Sequence, residues 1–315
     1  MSWLSNANPV LVKELRGRMR GARAFIILTV FLLILAVPTV LIYLSVAETV
    51  RYDPFSAGQY IGKSLFIGIV SIALIQIMIV VPGQAASAIT SEKESETYDL
   101  LISTLLPPWK IILGKLVAAL AYALLLIVAV IPFMAVSFLF GGVTIQEFLL
   151  ALLGLFVTVM LFGSIGILWS VIMRRSLAAT IVTQATSVVV LLGIPFLLAV
   201  FAILFLSRST EPRWASSPIF LYLWTMFLSL HPFIALGSSE LLLSAGETGL
   251  FFPVSQNTIP FIPVFDRNGA LQNFMLPQPW LIYTIEAVVL SAVLVFFSIR
   301  LLRPLDDRPR RRRRK

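Results

Sequence analysis

Six apolar runs of membrane-spanning length constrain this chain more than any other feature. They cover roughly 24–46, 64–89, 116–140, 148–173, 177–206 and 280–302. A bilayer core takes about 20 consecutive apolar residues of helix. Lipid also offers no partner to a bare peptide group, so each run must close its hydrogen bonds internally. Mean hydropathy is +0.97 and 12% of residues are charged, against roughly a quarter in soluble domains. The expected fold is an all-α polytopic membrane protein with six transmembrane helices. Gly193 and Pro195 are expected to kink the long fifth run.

The charges predict an orientation. Six spans put both termini on one side. With those termini inside, 19 of the 24 Lys and Arg residues face the cytoplasm and five face out: Arg51, Lys63, Arg208, Arg213 and Arg267. The positive-inside rule favours that arrangement. Pro218 to Leu236 is almost long enough to cross, but a seventh span would carry the basic tail outside. It is expected to be a re-entrant element on the outer face, within an outer loop over 207–279. Residues 1–23 combine Asn8-Pro9, a helix start, with Leu11, Val12, Leu15 and Met19 on one face and cations elsewhere. That pattern predicts an amphipathic helix lying in the interface. The following run is too long for a signal-peptide core of about 7–15 residues. The tail over 303–315, with Arg310 to Lys315 all basic, suits anionic membrane lipids. Without aromatics or a folded module it is a poor nucleic-acid reader.

Catalytic patterns are missing from the sequence. There is no cysteine and a single histidine, His231. Gly62-Lys63-Ser64 resembles the end of a phosphate-binding loop, but position 57 is alanine where that loop needs glycine. No nucleotide, metal or other cofactor is expected on this chain. Among intramembrane polar residues, Glu286, Gln76 and Gln184 are candidates for a substrate pathway, since buried polar groups in a bilayer are costly. Glutamines there also serve as hydrogen bonds between helices.

One charged island stands apart. Within 88–115, Glu92, Lys93, Glu94, Glu96 and Asp99 are followed by Leu100, Leu101, Leu105 and Leu106, then Pro107-Pro108, Trp109 and Gly114-Lys115. Thr90 or Ser91 is expected to cap a short amphipathic helix that the prolines stop. Trp109 would then anchor the next helix at the interface.

These residues resemble the permease subunits of ABC transporters of the type-2 exporter class. NPVLVKELRGRMRG resembles the helix before their first span, and SEKESETYDLLISTLLPPWKIILGK resembles the segment after their second. Position 96 departs from the pattern, with Glu where the family usually has glycine. So does Leu105, where proline commonly follows Ser-Thr. The resemblance implies a half-transporter that pairs with a second permease copy or a paralogue. It also implies separate ABC ATPase subunits that carry ATP and magnesium. The loop over 90–115 would be the coupling element, with Glu92, Glu94, Glu96, Thr97, Asp99, Leu100, Leu101, Trp109 and Lys115 as its contact residues. Localisation would be the cytoplasmic membrane. A membrane scaffold recruiting a cytoplasmic partner, and an ion-coupled transporter using Glu286, are the alternatives.

Overall fold

A computed structural model describes residues 22–49, 57–103, 106–201, 203–204, 217–253 and 274–302. The interfacial helix expected over 1–23 lies, up to residue 21, outside the described residues. So do the basic tail, Leu105, and Arg51, Arg208, Arg213 and Arg267, the cations expected on the outer side.

In chain order the elements are α1 (Ala22–Thr49), α2 (Ala57–Glu94), α3 (Tyr98–Ser103), α4 (Pro108–Phe140), α5 (Ile145–Ile172) and α6 (Ser176–Val188). A π-helical turn over Val189–Gly193 follows, then α7 (Ile194–Phe201), α8 (Pro218–Ser229) and α9 (Pro232–Ser244). The short strands β1 (Phe251–Pro253) and β2 (Met275–Pro277) precede α10 (Pro279–Leu301). Among the described residues, six helical stretches are long and apolar enough to cross a membrane: α1, α2, α4, α5, α6–α7 and α10.

Helix α2 is the hub, packing against α1, α4, α5 and α6. At about 1.5 Å per residue its 38 residues reach roughly 57 Å, nearly twice the ~30 Å hydrocarbon core. It therefore extends beyond the apolar layer. Its central face, with Leu65, Ile69, Ala73, Leu74 and Ile77, buries against Phe31 and Leu35 of α1, Leu126 and Val130 of α4 and Leu155 of α5. Dispersion and close approach, more than hydrophobic transfer, hold such a seam in lipid. Gly166 of α5 shows how close: a Cβ there would sit 2.6 Å from both Ala85 Cβ and Pro82 O of α2.

In the fifth span a π-helical turn over Val189–Gly193 lies immediately before Pro195, and the helical stretch runs on through it from Ser176 to Phe201. The 218–236 element is longer than expected and double. α8 and α9 meet at 115°, and at about 18–20 Å each, neither crosses the core alone. His231 caps their junction, with its Nε2 3.1 Å from Leu191 O in the π-helical turn. The β1–β2 pair, antiparallel with Phe252 opposite Leu276, roots both side chains in a cluster with Leu221, Trp224 and Leu242. This small sheet is the one β-structure among the described residues.

Candidate functional site

The segment over 88–115 is built differently from its expectation. No short helix starts at Thr90 or Ser91. Instead α2 runs unbroken to Glu94, and Thr90 is fully buried inside it, donating to Ala86 O at 3.0 Å. The reason is a set of clamps from neighbouring helices that cover the charged end of α2. Ser170 Oγ of α5 accepts from the Ile89 and Thr90 amides (2.7 and 3.1 Å). Lys93 Nζ donates to Ser170 O, Val171 O and Met173 O (3.2, 2.5 and 2.7 Å). These are carbonyls that the end of α5 leaves without helical partners, and a cation there also suits the helix dipole.

Glu94 does the converse for α6. Arg175, at the N-cap position, gives no side-chain cap. The Glu94 carboxylate takes its place, accepting from Ser176 N (2.8 Å) and Ser176 Oγ (2.7 Å). One turn of α2 thus ties the end of α5 to the start of α6 with charges of opposite sign.

Beyond Glu94 the chain reverses. Thr97 N donates to Glu92 O at 3.0 Å, and between them Glu96 has φ 57. It is the one non-glycine residue with positive φ among the described residues. This left-handed position at a helix end favours glycine. Thr97 Oγ1 donates to the Glu92 carboxylate, and α3 starts at Tyr98. Pro107 and Pro108 then separate α3 from α4, Pro108 taking its first position.

Lys115 is a second departure. The sequence makes it the closing cation of a surface loop. The structure puts it two turns inside α4 and 1% exposed, donating to Ala88 O (2.6 Å) and lying 3.4 Å from Glu92 Oε1. An ammonium so buried needs such partners. The carboxylate of Glu92 and the α2 carbonyl supply them.

The expected contact residues therefore divide. Glu92, Glu94, Thr97 and Lys115 are engaged within the fold. Tyr98 is buried with Ile89, Ile111, Ile112 and Leu116, and Leu101 packs against the same cluster. Burial first, and the Asp99 carboxylate second, hold the Tyr98 phenol above its ordinary pKa, so it stays neutral. Facing outward are Glu96, Asp99, Leu100 (69% exposed), Trp109 (49% exposed) and Lys110, whose ammonium lies 5.5 Å from the Trp109 ring. A rooted knob with an exposed leucine, a tryptophan and mixed charges is a surface suited to a protein partner, since anchored apolar side chains within a polar rim carry most docking energy.

The pathway candidates lie elsewhere and apart. Gln76 is buried, and its amide bridges α2 to α1 through Phe31 O (3.0 Å) and Leu35 N (3.3 Å). Gln184 Nε2 donates to Ile79 O at 2.6 Å, tying α6 to α2. Both act as fasteners between helices. Glu286 is half-buried in α10, and its Oε2 is enclosed without a hydrogen-bond partner.

Sequence reasoning missed a second charged cluster at the opposite end of the bundle. Lys63 Nζ bridges Glu147 Oε1 (2.7 Å) on α5 and Glu240 Oε1 (2.5 Å) on α9. Glu147 also completes a capping box: Thr144 N donates to its Oε2, and Glu147 N donates to Thr144 Oγ1. The Thr144-to-Glu147 spacing was the readable signal. Gly62 lies beside it at a close approach of two backbones. A Cβ there would come within 2.1 Å of Gly141 O, so its glycine serves close packing. Among the described residues no three metal-ligating side chains come together.

The chain matches no curated protein. The ABC-2 family transporter protein profile, however, matches residues 32–296, which takes in all six spans in part or whole, the 88–115 segment and the α8–α9 pair. The chain is a multi-pass membrane permease component that belongs to the ABC-2 transporter family.

Proposed function

We propose that this chain is the membrane half of an ATP-driven exporter and takes its energy from a separate ABC ATPase subunit docked on the knob at 96–110. The arrangement of that knob carries the reading. Leu100, Asp99, Glu96, Trp109 and Lys110 face outward. Directly behind them Lys93, Glu94 and Lys115 fasten α2 to α5, α6 and α4. A push on the knob is delivered to four helices at once. Closure of the ATPase would bias the permease between access states through such a joint.

Orientation follows from charge. The excess of basic residues on the side of the knob and the termini supports a cytoplasmic location for all three, in the cytoplasmic membrane. α8 and α9 would then form a re-entrant element on the outer face. A second permease copy or paralogue would complete the pathway, and the basic tail would rest on anionic lipids. Glu92, Glu94, Thr97, Leu101 and Lys115 act here as positioning residues behind the contact surface.

The test is co-purification of the tagged full chain from its native membrane. An ABC ATPase should accompany it, and the assembled complex in nanodiscs should hydrolyse ATP. Recovery of a partner without ATPase activity would favour a scaffold instead.

A further inference from the structure

Beside the Lys63–Glu147–Glu240 cluster lies a cavity of about 240 Å³. Its walls are apolar, with Phe66, Val70 and Leu74 of α2, Leu150 of α5, Phe233 of α9 and Trp280 of α10. Glu147 and Glu240 line it; Lys63 does not. The ammonium that bridges the two carboxylates therefore sits behind them, and the cavity meets the acidic side of the cluster. One cation against two carboxylates leaves a formal charge of −1. Glu147 is 3% exposed and Glu240 15%, so that excess is poorly solvated. A low local dielectric strengthens its pull on a further cation.

Two rim residues, Ile67 (46% exposed) and Leu241 (48% exposed), leave the cavity open toward the apolar surface of the bundle. A ligand can enter from the bilayer side. At roughly 30 Å³ per water-sized group, the volume holds about eight such groups, which is one short alkyl chain rather than a two-tailed lipid. Pockets of this kind take their affinity from apolar walls and their orientation from a few polar groups.

We propose that this cavity binds a single-chain amphiphile with an ammonium head, the chain between α2 and α9 and the head against Glu240 and Glu147. The proposal is independent of ATP coupling, and its test needs no ATPase.

Full-length protein in phosphatidylcholine nanodiscs is titrated with tritiated octylammonium, octanoate or octanol, and binding to empty nanodiscs is subtracted. Octylammonium should bind saturably at one per chain and at least tenfold more tightly than the other two. Gly237 lines the cavity, and a Cβ added there meets nothing within 4 Å. Gly237→Leu should therefore fold, fill the space and abolish binding. Glu240→Gln removes the excess charge and should weaken octylammonium about tenfold without strengthening octanoate to match it. Equal binding of the three probes, non-saturable uptake, or octylammonium binding that survives Gly237→Leu would each overturn the proposal.

Discussion

Lys93 is the most informative residue to remove. Its ammonium closes three carbonyls at the end of α5, and lies on the same turn of α2 whose Glu94 caps α6. Hydrogen bonds to a charged donor contribute about 1.5–3 kcal/mol each. The three share one half-exposed ammonium, and the freed carbonyls regain water, so the joint loses about 2 kcal/mol in all. That is roughly a thirtyfold shift toward the released state. Lys93→Met keeps the aliphatic stem and deletes only the charge and donors. The chain has no cysteine, so spin labels can be placed cleanly at Asp99→Cys on α3 and Ile172→Cys at the end of α5, both exposed. Electron–electron distance measurements in nanodiscs should give one narrow distribution for the parent and a second, longer population in Lys93→Met. ATP turnover by the assembled complex should fall in parallel. A distance distribution that superimposes on the parent's would refute the claim that Lys93 holds the knob to α5.

Other substitutions separate the parts. Glu96→Gly relieves a left-handed non-glycine residue and should raise stability by about 1 kcal/mol, read as a higher Tm, whereas Glu96→Val should lower it. Lys63→Met leaves Glu147 and Glu240 without their shared cation and should destabilise by about 3 kcal/mol; adding Glu240→Gln should restore part of the loss in a double-mutant cycle. Gly166→Ala forces a methyl against Ala85 and Pro82 O and should cost about 1–3 kcal/mol of stability, while Gly237→Ala, in open space, should not. Glu286→Gln should change flux without lowering Tm if the enclosed carboxylate faces the transport route; unchanged flux in reconstituted vesicles assigns it a packing role.

The length of the apolar runs made the spans legible, because a bilayer imposes length and internal hydrogen bonding on every crossing segment. Gly193 and Pro195 marked the place of the π-helical turn, because proline offers no N–H to the preceding turn. Helix ends were not. Thr90 and Ser91 look like caps, yet Ser170 and Lys93 extend α2 past them through contacts about 80 residues apart in sequence. Lys115 looks like a loop cation and is buried, because its partners Ala88 and Glu92 come from another helix. The Lys63 cluster was hidden by the same kind of distance: its members lie on three helices, and each reads singly as a flanking charge. Glu96 was legible in an unusual way. Its departure from a family glycine marked the turn at which the backbone does adopt a glycine-favouring φ.

The central claim is that the face bearing Leu100 meets an ABC ATPase on the cytoplasmic side. A photo-crosslinking amino acid replaces Leu100 in one full-length variant. In another it replaces Leu139, which is 85% exposed at the far end of α4. Irradiation of intact cells should join the ATPase to the Leu100 position in high yield, and Leu100→Asp should abolish co-purification while the chain still inserts. No adduct should form at Leu139. An ATPase adduct at Leu139 instead, or an unchanged complex with Leu100→Asp, would contradict the account.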